Sequence, residues 1–259
     1  MTIWVGTSWK MTKTLSEAED FAQGLAARRR ETGWPGVQAF VIPSFTSLHL
    51  VAGVLEGSGV LVGAQNAHWE DDGAWTGEVS VPQVADAGAV LVEIGHSERR
   101  MHFAETDDTV RMKVAATLRH GLTPLVCVGE PEEVLREGRS ADFVSAQLEA
   151  ALQGAVDSPD DATVLVAYEP VWAIGEHGRP ARPEEISGVL GLLHSRFGDR
   201  VSGFLYGGSV AEDTVARTLE VPHVDGVFVG RSAWALPGFL GILDTAASSA
   251  PHARRPRLP

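Results

Sequence analysis

The sequence predicts an α/β protein built as one closed (β/α)8 barrel. Three observations carry this. Short apolar runs rich in β-branched residues alternate with longer amphipathic stretches along the whole chain. Eight such pairs fit into 259 residues, the usual size of a closed barrel. The first run leads into Gly6-Thr7-Ser8-Trp9-Lys10. It lacks the glycine-rich nucleotide loop that an open doubly wound sheet, the alternative, usually carries there.

The strand candidates are Ile3–Gly6, Ala39–Ile42, Val60–Gly63, Ala89–Ile94, Leu125–Val128, Val164–Tyr168, Gly203–Tyr206 and Gly226–Val229. Helical patterns follow them at Ser16–Arg30, Ser47–Leu55, Val81–Asp86, Thr109–His120, Ala141–Gln153, Pro183–Phe197, Ala211–Leu219 and Pro237–Ala247. Ser16 before Glu17 and Glu19, and Pro183 before Glu184 and Glu185, put carboxylates in first helical turns, where the helix dipole favours them. Strict alternation implies parallel strands with right-handed crossovers. No linker or repeat divides the chain, so residues 1–245 are expected to form the barrel. The tail Ala246–Pro259, rich in Ala, Ser, Pro and Arg, is expected to be disordered.

Bulk properties narrow the function. Lys plus Arg total 21 against 34 Asp plus Glu, a net charge of −13. That argues against non-specific nucleic-acid or anionic-membrane binding, but leaves room for an anionic substrate held by a local field. The single cysteine, Cys127, allows no intrachain disulfide and fits a reducing compartment. No signal peptide or membrane-length apolar run is read, and a cytoplasmic protein is expected. No Cys/His cluster has metal-ligand spacing. His68, Glu70, Asp71 and Asp72 could suggest a metal site, but decorate a long exposed loop on the plainer reading.

In a barrel, reacting groups lie just beyond the carboxyl ends of strands. Strand 1 delivers Lys10, strand 4 delivers His96, Ser97 and Glu98, and strand 6 delivers Glu169. Strand 7 ends at Gly207-Gly208-Ser209 and strand 8 at Gly230-Arg231. A carboxylate, an imidazole and an ammonium thus converge on one face.

These segments resemble the triosephosphate isomerase family, whose fold is the TIM barrel. GHSERR (95–100) and YEPVWAIG (168–175) match family motifs without a change. WKM (9–11), GAWTGE (73–78), CVGE (127–130) and YGGSV (206–210) match closely. The resemblance implies Glu169 as general base, His96 as a neutral electrophile and Lys10 as fixed positive charge. It implies Ser97 and Glu98 as supporting residues; Glu98 and Arg99 could also be only a structural ion pair. Gly175, Ser209 and Gly230 would hold the phosphate, with 170–181 as a closing lid. No cofactor and no metal are implied. The partners implied are a small phosphorylated sugar and a second copy of the chain, with the loop Gln65–Glu78 and its tip Thr76 entering the neighbour of a homodimer.

Three departures bear on substrate. Ser8 stands where the family usually has a substrate-touching Asn. Arg231 stands where strand 8 usually ends in a second glycine, and either meets substrate or points outward. The lid's second half, 176–181, is a residue longer than the common form. GTSWKM at the start and GRSAW (230–234) resemble a sister branch that isomerises L-erythrulose 1-phosphate to D-erythrulose 4-phosphate. On that likeness Ser8 makes space for the extra hydroxymethyl group. Isomerisation of dihydroxyacetone phosphate is the alternative, and a non-catalytic binding barrel a remoter one. A hydrolase elbow at Gly95–Arg99 lacks its second glycine, and no G-x-G-x-x-G or Walker loop supports a nucleotide enzyme.

Overall fold

The computed structural model describes residues 2–154, 164–174 and 178–250. In chain order the elements are β1 (Ile3–Ser8), α1 (Leu15–Glu31), β2 (Val37–Ile42), α2 (Phe45–Leu55), β3 (Leu61–Ala64), α3 (Val81–Asp86), β4 (Leu91–Ile94), α4 (Ser97–His102), α5 (Asp107–Arg119) and β5 (Thr123–Val128). They continue with α6 (Glu132–Arg136), α7 (Ser140–Leu152), β6 (Leu165–Tyr168), α8 (Pro183–Phe197), β7 (Gly203–Tyr206), α9 (Val215–Leu219), β8 (Gly226–Val229) and α10 (Leu236–Ser249). All eight strands pair in parallel, each with its sequence neighbours, and β8 closes on β1 through Trp4↔Gly226 to Thr7↔Val229.

Alternation along the strands sorts side chains to two sides. Outward residues such as Val5, Val41, Val92, Val126 and Val166 pack against helix faces carrying Phe21, Leu25, Val114, Leu148 and Leu190. Inward residues Phe40, Ile42, Leu91, Leu125, Cys127, Leu165, Ala167, Leu205 and Phe228 fill the lumen. Gly6 is required by this filling: a Cβ there would lie 1.9 Å from the Phe40 ring. The lumen is a packed core, and only its mouth is free for chemistry.

The expected strands are all present, with ends that differ. β1 runs on to Ser8, because Gly6, Thr7 and Ser8 keep their register with Phe40, Val41 and Ile42. α1 begins at Leu15 and not at Ser16. Thr14 is its cap, and its backbone N–H donates to the Glu17 carboxylate at 2.7 Å. Val215–Leu219 replaces the longer stretch expected from Ala211. α4 and α6 were not expected as helices; each is a turn or two long and too short to show a periodicity. The last helix does not stop at the expected boundary. α10 reaches Ser249, with Ala246 wholly buried in the core. Residues 251–259 of the expected tail lie outside the described residues. No helix among the described residues is long and apolar enough to cross a membrane.

Candidate active site

Lys10, His96, Glu98 and Glu169 line one cavity of about 400 Å³ at the carboxyl ends of the strands, together with Ser209, Gly230, Arg231 and Trp234. Lys10 follows β1 in a left-handed conformation (φ 52°). An L-residue adopts this only when its surroundings hold it there. Its Nζ donates to Glu98 Oε1 at 2.6 Å, and both side chains are partly exposed.

His96 is the N-cap of α4. Its Nδ1 accepts the backbone N–H of Glu98 at 3.1 Å. A ring nitrogen that accepts carries no proton, so the proton of the neutral ring sits on Nε2. Nε2 lies 3.5 Å from Glu169 Oε2. Burial, and then the Lys10 charge, lower the imidazole pKa to about 4. The ring is therefore neutral at working pH and presents an N–H donor to the cavity.

Glu169 follows β6 and is 6 % exposed. Its backbone N–H donates to Val128 O at 2.7 Å. Burial, reinforced by the nearby Glu93 carboxylate, pushes its pKa up to about 8, while Lys10 and a hydrogen bond from the Cys127 thiol oppose the rise. Its Oε2 has no hydrogen-bond partner, and the side chain lies against Gly207, where a Cβ would meet Glu169 Cγ at 2.6 Å and Oε1 at 2.9 Å. A buried carboxylate with a free oxygen and raised proton affinity is equipped to take a proton from carbon.

Other expected residues fall into place unevenly. Ser209 lines the cavity, and its Oγ donates to Ala173 O at 2.7 Å, tying the β7 loop to the segment after β6. Arg231 is exposed at the cavity rim, in a single 3-10 turn that starts after Gly230. Ser97 Oγ is buried without a hydrogen-bond partner. Gly175 lies outside the described residues. Ser8 differs from expectation. It is 4 % exposed, does not line the cavity, and its Oγ donates to Glu93 Oε2 at 2.8 Å. Its hydroxyl is drawn to a buried carboxylate that needs a donor. Thr76 is exposed on the loop after β3, beside Trp75. In that loop Asp71 accepts from Arg119 at 2.7 Å and contacts His120 Nε2 at 2.7 Å, and no group of metal-ligating side chains converges among the described residues.

Two residues escaped the sequence reading. Glu93 hides inside an apolar strand, where one acid in a run of four reads as a tolerated exception. Trp234 lines the cavity and donates from Nε1 to Ser8 O at 3.0 Å, a contact between the two ends of the barrel sheet. The segment after β6 is anchored by Glu130, which accepts from Trp172 Nε1 at 2.8 Å and Tyr168 Oη at 3.2 Å.

Comparison with known proteins agrees with this geometry. A family described as triosephosphate isomerase matches residues 3–246. L-erythrulose-1-phosphate isomerase of Mycolicibacterium smegmatis is 53 % identical over 247 residues, covering 95 % of this chain and 94 % of the relative. The enzyme of the same description from Rhizobium etli is 51 % identical, covering 94 % and 92 %. The crystal structure of triosephosphate isomerase from Bartonella henselae superposes with a TM-score of 0.80 at 32 % identity, covering 95 % of this chain and 99 % of that one. A match running from β1 into α10, with such relatives along almost the full length of both partners, makes this chain a member of the triosephosphate isomerase family.

Proposed function

We propose that this isomerase interconverts L-erythrulose 1-phosphate and D-erythrulose 4-phosphate. The observation that carries the reading is the identity of about one half, over nearly the whole length, to relatives described as L-erythrulose-1-phosphate isomerases. The site supplies the chemistry. Glu169 removes the proton from the carbon that bears the hydroxymethyl group, next to the ketone. The electrons form an enediolate across the two carbons. The Nε2–H of His96 donates to its oxygens, and the Lys10 ammonium offsets its charge. Glu169 then returns the proton to the former carbonyl carbon, while His96 gives its Nε2 proton to the former carbonyl oxygen and takes the hydroxyl proton from the neighbouring oxygen, so the ketone has moved by one position and the atoms balance without a redox partner. Stabilising the enediolate is what makes carbon acidic enough for a carboxylate.

Ser209, Gly230, Arg231 and the backbone of Gly175 are assigned to the phosphate end, and Ser97 and Glu98 to support of the imidazole and ammonium. Ser8 is shorter than an Asn and is turned to Glu93, which leaves room beside the reacting carbons. We also assign the working form as a cytoplasmic homodimer. Met11, Phe45, Trp75, Met101 and Phe103 are large apolar residues exposed on loops and helices next to strand carboxyl ends, a grouping a second copy would cover. The single cysteine is a buried free thiol.

The test is an assay of both substrates with purified protein. A higher kcat/KM for L-erythrulose 1-phosphate than for dihydroxyacetone phosphate is expected. The reverse order would replace this reading with triosephosphate isomerisation.

A further inference from the structure

The lumen contains one feature that its packing role does not explain. Glu93 points inward from β4, in a lumen otherwise filled by the apolar side chains described above, and is 3 % exposed. Its hydrogen bond comes from Ser8 Oγ at 2.8 Å. β1 and β4 are not neighbours in the barrel, so this bond crosses the lumen. A buried carboxylate with one hydroxyl donor is costly to the fold, and a buried group kept at a cost points to function.

Its position relates it to the base. On β5 the partner of Glu93 is Leu125, and the next inward residue is Cys127. On β6 the partner of Cys127 is Ala167, and the next inward residue is Glu169. Glu93, Cys127 and Glu169 therefore rise like steps on three adjacent strands, toward the mouth. Cys127, at the middle step, is close enough to Glu169 for its thiol to favour the carboxylate form. At the mouth, Ser8 lies two residues before Lys10 and Glu93 three before His96.

We propose that Glu93, held across the lumen by Ser8, is a positioning residue that acts through Glu169, its negative charge lying beneath the base and making it the stronger proton acceptor. The charges around the pair are consistent with this. Lys10 and Arg99 favour an ionised Glu93, Glu98 disfavours it, and Ser8 supplies the hydroxyl that a carboxylate needs. Facing Glu169 are Glu93, Lys10, Glu98 and the Cys127 thiol, with neutral His96 at 3.5 Å. Of these, the two glutamates add repulsion, and Glu93 is the one with the larger effect. Burial raises Glu93 itself to about 7, so its charge is about half present at neutral pH, full in alkaline solution and lost in acid.

The inference rests on Glu169 being the base, and the experiment separates the two claims. The pH dependence of kcat/KM is measured for wild type, Glu93→Gln, Glu93→Asp and Glu169→Gln on L-erythrulose 1-phosphate. Gln keeps an acceptor for Ser8 and removes the charge. The acid limb of the profile, where the base becomes protonated, is expected to move to lower pH by about one unit in Glu93→Gln. The alkaline plateau should fall, because a weaker base removes protons more slowly. Glu93→Asp, which keeps a charge, should move the limb back toward wild type. The phosphate of the substrate titrates alike in every profile and cancels from the comparison. An unmoved limb in Glu93→Gln, with activity lowered equally at every pH, would overturn the proposal and leave Glu93 a structural residue. A raised KM with an unmoved limb would also overturn it, since Glu93 would then be meeting substrate. Should Glu93→Gln fail to fold, Ser8→Ala decides. Loss of the hydroxyl donor leaves more Glu93 protonated, so the limb again moves down; no movement overturns the proposal. An active Glu169→Gln, by contrast, would remove the base assignment itself.

Discussion

Glu93 and Glu169 show how single side chains are set by being buried. Both favour the protonated form, at about 7 and about 8. An unfolded chain would release those protons in the ordinary carboxylate range. Between that range and about 8 the folded protein thus binds more protons than the unfolded one, and stability falls as pH rises. Glu93→Gln removes its share of this penalty. Its melting temperature should exceed wild type by a few degrees at pH 8 and match it near pH 5; a uniform drop at both pH values would contradict the sign. A second residue-scale prediction concerns Gly207. A methyl group there meets Glu169 Cγ at 2.6 Å, so Gly207→Ala should displace the carboxylate proposed as the base and lower kcat by about 10²-fold, as small misplacements of reacting groups do. Kinetics within threefold of wild type would show that the base has room to give. At this scale the motifs made Lys10, His96 and Glu169 legible in the sequence, because each stands in a segment with its own pattern. Glu93 was not, since its meaning depends on Ser8, which lies 85 residues away in sequence and across the lumen in space.

Elements explain how those side chains are aimed. α4 begins at His96, so the same turn that starts the helix supplies the N–H that fixes the imidazole tautomer. Segments around β6 and α8 are joined by Arg179. Its guanidinium lies 4.2 Å over the Trp172 ring and donates to both Glu185 oxygens at 2.9 and 2.8 Å. These bonds hold the Glu185 carboxyl well below its ordinary range, near 2. Arg179→Ala should release the segment after the cavity wall and lower kcat/KM by about tenfold, roughly 1.4 kcal/mol of transition-state stabilisation. Arg179 is half-exposed and Glu185 mostly covered, so the pair contributes modestly to folding, and the melting temperature should fall by only a few degrees. A large fall in stability with normal kinetics would mean that Arg179 serves the fold alone. Element type was readable from periodicity for the longer helices and for all strands. Element ends were not, because caps such as Thr14 and continuations such as β1 to Ser8 depend on partners from elsewhere in the chain.

For the whole molecule, closure of β8 on β1 is what brings the first and last motifs together. Trp234, after β8, hydrogen-bonds the backbone of Ser8 at the end of β1. The chain order of the motifs already implied this ring, since every motif follows its own strand. What the sequence could not display is the lumen, whose charged member is visible only when eight inward faces are superimposed. The exposed apolar side chains Met11, Trp75 and Met101, each following a different strand, belong to the same scale. Sedimentation should give a dimer, and Thr76→Arg with Trp75→Arg should shift it toward monomer and reduce activity; a wild-type monomer at micromolar concentration with full activity would contradict the assembly. The central claim is that one buried carboxylate at the mouth of this barrel moves the proton. It is tested most directly by turnover of L-erythrulose 1-phosphate by Glu169→Gln. A loss of roughly 10²–10⁴-fold in kcat with the fold intact is expected for removal of a general base, and near-normal turnover would contradict the mechanism.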